Sequence, residues 1–210
     1  MTTTATQTGR TAHASPVTPD VPAELRRDLL EIARAAIQVA VGLASGWSFA
    51  ARIRQAHRTD LRSAVFVTLT DGGELRGCMG TLDPEQPVAQ AVAAAAMTAS
   101  LDDPRFYPVE PGELADLEVD VSILGVPVEL AGPTDFVPGL DGIVVERGRR
   151  LGLLLPEVAT DHGWDGERML EAVCRKAGLP QDAWRQPETR CRVFRTVRFG
   201  GRVIEGTTAR

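Results

Sequence analysis

The sequence is short of several things, and each shortage narrows what the chain can be. It holds three cysteines, Cys78, Cys174 and Cys191. No two of them stand at the CxxC separation of a zinc or redox motif, and no HxH or HxxxH pair offers an imidazole substitute, so no metal site is expected. An odd set of thiols suits a reducing compartment better than a secreted disulfide scaffold. There is no run of about 18 apolar residues to span a bilayer, and the opening stretch MTTTATQTGRTAHASPVTPD lacks the apolar core of a secretory signal. The expected location is cytoplasmic, with no membrane partner. Positive charge is not in excess either: 23 Lys and Arg against 28 Asp and Glu leave a net charge of -5. That argues against a nucleic-acid partner, because phosphate binding shows as a basic domain or stripe. Any anion site must be local. Lysine is nearly missing, Lys176 standing alone among arginines, which is a habit of composition and carries no functional weight.

What remains is an ordinary globular balance, 43% apolar and 24% charged over 210 residues, enough for one sizeable core or two small subdomains. Residues 1–20 are Thr-rich with almost no large apolar groups to bury, so a disordered tail is expected there. A single α+β domain is expected over 21–206, with a flexible C-terminus at 207–210. Apolar residues at three- and four-residue spacing from Pro22 to Leu43 predict an amphipathic helix capped by Asp20 and stopped at GLASG. SAVFVTLT, the turn DGG and ELRGCMGT predict a hairpin over 63–81. Alanine-rich PVAQAVAAAAMTASL predicts a tightly packed helix over 87–101, ended by the proline-fixed loop DDPRFYPVEP. DLEVDVSIL predicts a half-buried strand, and GIVVERGRRLGLLLP a second hairpin. DGERMLEAVCRKAGL predicts a helix capped by Asp165 and stopped at Gly178. RCRVFRTVRF is expected to be one closing strand. Hairpins outnumber βαβ units, so the predicted fold is α+β around a mainly antiparallel sheet with packed helices.

The segment ELRGCMGT holds a cation, a thiol and two glycines where a purely structural strand would be branched and apolar. Alternation places Arg76, Cys78 and Gly80 on one face and Leu75, Gly77 and Met79 on the other. A cation about 7 Å from the sulfur would favour the thiolate by roughly 2 kcal/mol at an effective dielectric near 20. Cys78 is thus a candidate nucleophile, with inert packing as the alternative. Gly77 and Gly80 suit either close approach of a ligand or close packing of a helix. Arg76 and Arg105, the latter in the DPRF loop, could clamp a carboxylate or phosphate; the alternative is internal pairing with Asp102, Asp103 or Glu157. Phe106 serves as a pocket wall or as core. His162 could form a dyad with Cys78, and Glu157, in the first turn of a short helix, could act as a general base. For both, a plain surface role stands beside the catalytic one.

LRGCMG, DDPRFYPV, LEVDVSIL, GLLLPEVA and CRKAGL, in this order, resemble the AMME syndrome candidate gene-one protein family, whose stand-alone bacterial members are called AmmeMemoRadiSam system protein A. The resemblance covers roughly residues 22–205. It implies an α+β fold of two unequal subdomains with a cleft near the hexapeptide. It also implies a Memo-like protein and a radical S-adenosylmethionine protein as partners, and it names no reaction and no cofactor. Met79 stands where the family usually has Ile, and Glu157 where it usually has Gln, so a role needing an amide donor at 157 is not carried over. Three functional expectations follow: a small-molecule (anion) site with Cys78 as nucleophile, a non-catalytic binding or partner-docking module using the same surface, or an interaction protein without a small ligand.

Overall fold

The computed structural model describes residues 15–44, 60–130, 132 and 135–204. Most of the expected N-terminal tail, His13, His57 and the expected flexible end at 207–210 lie outside the described residues. In chain order the elements are α1 (Ala23–Ala40), β1 (Val65–Asp71), β2 (Glu74–Thr81), α2 (Val88–Leu101), β3 (Leu117–Leu124), β4 (Val128–Glu129), β5 (Gly142–Arg147), β6 (Arg150–Leu154), α3 (Pro156–His162), α4 (Gly166–Lys176), β7 (Arg190–Phe194) and β8 (Thr196–Arg202), with short 3-10 turns at Pro111–Glu113 and Ala183–Arg185. The strands form two four-stranded sheets, ordered β2-β1-β3-β8 and β4-β7-β5-β6, with every ladder antiparallel. The fold is α+β, as expected. Among the described residues no helix is long and apolar enough to cross a membrane.

The chain divides into two compact units, one of Thr18–Gly125 with the segment from Thr196 onward, the other of Val126–Arg195. In the first, Leu25, Leu29, Ile32, Ala33, Ala36 and Ile37 line one stripe of α1 and are buried. Each of the large ones contributes about 1.5–3 kcal/mol relative to exposure. The N-cap position is Pro22, two residues after the expected Asp20, and it makes no side-chain cap. The helix stops at Gly42, whose φ of 79° turns the chain. Helix α2 is mostly alanine on its buried side, which lets its backbone come close to the sheet. Val65, Val67 and Leu69 of β1 and Val119, Val121 and Ile123 of β3 complete this core. The Gly72–Gly73 turn, with φ of 56° and 88°, supplies the left-handed pair that a two-residue hairpin needs.

In the second unit α4 lies on β5 and β6, and Gly152 makes room for it: a Cβ there would stand 2.6 Å from the Val173 carbonyl oxygen. Asp165 caps α4 through the Arg168 N–H at 2.8 Å, and Gly178 ends it at φ 70°. The expected single strand RCRVFRTVRF is two strands in two sheets. Alternation fails at Val193 and Phe194, both buried. Arg195 then leaves the ladder, its Nε donating to Asp141 Oδ1 at 3.1 Å, before β8 pairs with β3.

Candidate functional site

Strand β2 is an edge strand, paired on one side with β1. An edge leaves every second N–H and C=O unpaired, and a protein must cover them or risk pairing with another chain. The ladder slips by one residue between Leu69, opposite Gly77, and Thr70, opposite Leu75, so Arg76 is left over in a β-bulge. Leu75 therefore stands on the same face as Thr70 and is 41% exposed, rather than on the face of Gly77 and Met79 as strict alternation predicts. A Cβ on Gly77 would lie 2.3 Å from the Ala99 carbonyl oxygen of α2, so Gly77 is spent on helix packing and faces away from Cys78.

The open edge is closed by the DDPRF loop. The Cys78 N–H donates to Asp103 Oδ2 at 2.8 Å, and Arg105 Nη2 donates to the Cys78 carbonyl at 3.4 Å. Asp103 and Arg105 thus offer one acceptor and one donor to the strand edge, as the backbone of a neighbouring strand would. They hold each other through two bonds, Nε to Oδ1 at 2.9 Å and Nη2 to Oδ2 at 2.6 Å, and the Arg105 N–H adds a third at 3.1 Å. The Asp103 side chain is 2% exposed and that of Arg105 52%. The Arg105 guanidinium, joined by the two backbone N–H donors and opposed by burial, holds the Asp103 carboxyl far below the usual carboxylate range. The same bond raises Arg105.

Arg76 anchors the rest of the loop. Its Nε and Nη2 donate to Glu113 at 2.8 and 3.1 Å, and its Nη1 and Nη2 reach the carbonyls of Tyr107 and Pro108 at 3.0 and 3.4 Å. Glu113 is held ready by its own 3-10 turn, where Oε1 accepts the Glu110 N–H at 2.7 Å. The Arg76 fork lowers Glu113 below its ordinary value, against burial. Phe106 sits between the two pairs, with the guanidinium carbons of Arg76 and Arg105 5.9 and 5.4 Å from its ring centre. Arg76 and Arg105 do converge, as a clamp requires, but each fork already holds a carboxylate of this chain.

On the sheet face away from α1 and α2, register lines Cys78, Thr68, Asp120 and Gly200 across four strands, with Gly80, Phe66, Ser122 and Arg198 in the next row. Thr68 Oγ1 donates to Cys78 Sγ at 3.4 Å, and Arg198 Nη2 donates to Asp120 Oδ2 at 2.7 Å. Gly80 is filled by the Phe66 ring, whose Cδ1 would lie 2.5 Å from a Cβ there. Cys78 is half-buried. Burial raises the Cys174 thiol and pushes that of Cys191 up to about 11.

Glu157 and His162 belong to the other unit, in which Cys78 has no part. Glu157 occupies the first turn of α3, as expected. The His162 Nδ1–H donates to the Val158 carbonyl at 3.1 Å, and its exposed ring lies tilted against that of Trp164, the ring centres 4.5 Å apart. Sequence reasoning missed Glu113, Thr68, Asp120 and Arg198. Alternation within each strand puts the last three at outward positions, but nothing in a single sequence sets the strands side by side.

The edge thiol and the DPRF loop that locks it both lie within the span matched by a known family. The AMMECR1 family model matches residues 30–199. The chain belongs to the AMMECR1 family. A protein of Methanothermobacter thermautotrophicus is 48% identical over 144 residues, 66% of this chain and 75% of that protein. Protein TK0174 of Thermococcus kodakarensis is 42% identical over 154 residues, 69% of this chain and 73% of its own length. The crystal structure of protein PH0010 from Pyrococcus horikoshii has a TM-score of 0.76 at 32% identity, covering 86% of this chain and 93% of that one.

Proposed function

We propose that this AMMECR1 protein binds a small molecule at the face of β2 and that the thiol of Cys78 is the group that reacts with it. The observation that carries the reading is the number of separate groups engaged on one residue. The Cys78 N–H is held by Asp103, its carbonyl by Arg105 and its sulfur by Thr68. The two backbone contacts close the strand edge, and the one on the sulfur is the contact that closing the edge does not require. The Thr68 hydroxyl fixes the position of the sulfur, the atom that acts as the nucleophile. In the step envisaged, a sulfur electron pair forms a bond to an electrophilic carbon, the leaving group departs with the electrons of its own bond, and the thiol proton passes to solvent. Arg76 and Arg105 serve first to set the thiol in place. An anion at either would have to displace Glu113 or Asp103.

The test is iodoacetamide alkylation at neutral pH, followed at each cysteine by mass spectrometry. Cys78 is expected to react much faster than Cys174 and Cys191, and Thr68→Val to slow it. A Cys78 that reacts no faster than the other two, and that is indifferent to Thr68, removes the reading. A second reading is favoured by Tyr107, which is 90% exposed although its carbonyl is fixed by Arg76. A large aromatic presented on a rigid loop is the kind of residue that anchors an interface, here with the Memo-like or radical S-adenosylmethionine partner. Loss of co-purification with either partner in Tyr107→Ala, with Cys78 reactivity intact, would favour docking.

A further inference from the structure

The hairpin end of the first sheet carries an apolar and acidic surface that the Cys78 reading does not use. Tyr107 is 90% exposed and Leu75 41%, and both are tied to Arg76: Leu75 precedes it in β2, and its guanidinium holds the Tyr107 carbonyl at 3.0 Å. Pro104, Pro108 and Pro111 restrict the backbone on either side of the ring. An aromatic side chain held out on a fixed backbone loses little freedom when a partner covers it. The unmatched charges beside it are of one sign. Glu74 adjoins Leu75 and stands opposite Asp71, Asp116 adjoins Leu117, which is opposite Asp71 on β3, and the Glu110 N–H donates at 2.7 Å to the same Glu113 carboxylate that Arg76 grips. All four of these acids are exposed, and none of them has an ion pair among the described residues. The cations of these elements are already matched: Arg76 by Glu113 and Arg105 by Asp103, while Arg202 has Glu118 opposite it in the ladder.

We infer that this surface docks a protein partner through a basic segment, an apolar pocket of that partner taking the Tyr107 ring while its Arg or Lys side chains meet the carboxylates of Asp71, Glu74, Glu110 and Asp116. Charge selects this occupant. A second copy of the chain is disfavoured, because a two-fold interface sets the same patch against itself and would bring these carboxylates together, in a chain whose net charge is already -5. A nucleic acid or an anionic membrane surface is repelled for the same reason. In protein interfaces an aromatic anchor sets the affinity, and the charges around it set the encounter rate and the choice of partner. The inference rests on Tyr107 being a docking residue and adds the chemistry of what docks; it does not depend on Cys78.

A library of random peptides displayed on phage, selected on the full-length protein and counter-selected on Tyr107→Ala, reads that chemistry directly. The expected peptides carry an excess of Arg and Lys beside an apolar residue. In fluorescence anisotropy such a peptide should lose affinity about tenfold or more to Tyr107→Ala, the scale of an anchoring residue, and keep most of it in Tyr107→Phe. Glu74→Gln, and Glu110→Gln, which keeps an acceptor for the Glu113 N–H, should each weaken it by about two- to fivefold, the range of an exposed ion pair, and lessen its dependence on salt. Selected peptides that depend on Tyr107 but show no excess of cations, or that are indifferent to both charge substitutions, overturn the basic partner and leave the docking reading standing. Failure of that reading shows differently, as a selection in which no peptide separates the parent from Tyr107→Ala, and it removes both. A dimer of the protein in light scattering that Tyr107→Ala dissociates also overturns the inference, by making a second copy the occupant.

Discussion

Replacing Arg105 with alanine tests whether the DPRF loop is a lock on the edge of β2. The substitution removes two side-chain bonds to Asp103, at 2.9 and 2.6 Å, and leaves the N–H of residue 105 at 3.1 Å and that of Cys78 at 2.8 Å. Hydrogen bonds to a charged group contribute about 1.5–3 kcal/mol each, and stripping one partner from a fully buried pair costs about 3–5 kcal/mol. Arg105 is half exposed, so water replaces part of what is lost, and the two backbone donors still hold the carboxylate. The expected loss is about 2 kcal/mol, a fall in Tm of roughly 4–8 °C for a chain of this size. Asp103→Ala should cost more, because it also strips the acceptor from a Cys78 N–H that points away from β1. The pair energy is isolated by adding Asp103→Asn and the double variant to a denaturant-unfolding series. Coupling of about 1.5 kcal/mol or more is expected, whereas coupling below about 0.5 kcal/mol, the scatter of independent sites, would refute the lock. Amide hydrogen exchange gives a second readout. The Cys78 N–H lies outside the sheet ladder, yet it should be protected in the parent and exchange rapidly in Asp103→Ala.

The pH dependence follows from the same carboxylates. Asp103 and Glu113 both titrate below their ordinary values in the folded protein. Their stabilisation is therefore fully present above the unfolded values of about 3.9 and 4.3 and is lost as pH falls through the folded ones. Thermal unfolding from neutral pH to about pH 2 should show a steeper acid loss in the parent than in Asp103→Asn/Glu113→Gln; equal slopes would deny the linkage. Gly77→Ala drives a methyl against the Ala99 carbonyl at 2.3 Å and should destabilise by about 1–3 kcal/mol. By contrast Gly112→Ala, with nothing within 4 Å of the new methyl, should stay within about 0.5 kcal/mol of the parent. A tolerated Gly77→Ala would mean that α2 does not sit this close to β2.

The parts of this structure that could be foreseen are those written in consecutive residues. The Asp71–Gly72–Gly73 turn announces the first hairpin because its backbone needs φ values that glycine adopts freely. The α4 helix is announced by Asp165 at one end and Gly178 at the other. The bulge at Arg76 could not be foreseen, because it is a slip in register against β1, which is not written in β2 alone. The partner of Arg105 was within reach, since Asp103 lies two residues before it. The partner of Arg76 was not, since Glu113 is brought in by a 3-10 turn at the far end of the loop. Asp120 and Arg198 were each legible as outward-facing residues, but their meeting depends on β8 returning beside β3 after the whole second unit has intervened.

The same logic explains why LRGC and DPRF occur together. Each alone is ambiguous, an arginine and a thiol on a strand, or an ion pair in a proline-fixed loop. Once Asp103 and Arg105 occupy the N–H and C=O of Cys78, the two segments form one device. The strand supplies the thiol, the loop supplies the missing neighbour, and Arg76 ties the far end of the loop to the bulge. A strand edge could be covered far more simply, by a proline or a lysine. Covering it with two charged pairs that leave the sulfur half-buried, on a face lined by Thr68, Asp120 and Arg198, makes structural sense if that sulfur must be held still and remain reachable. The Arg105→Ala series and the site-by-site alkylation test those two requirements separately.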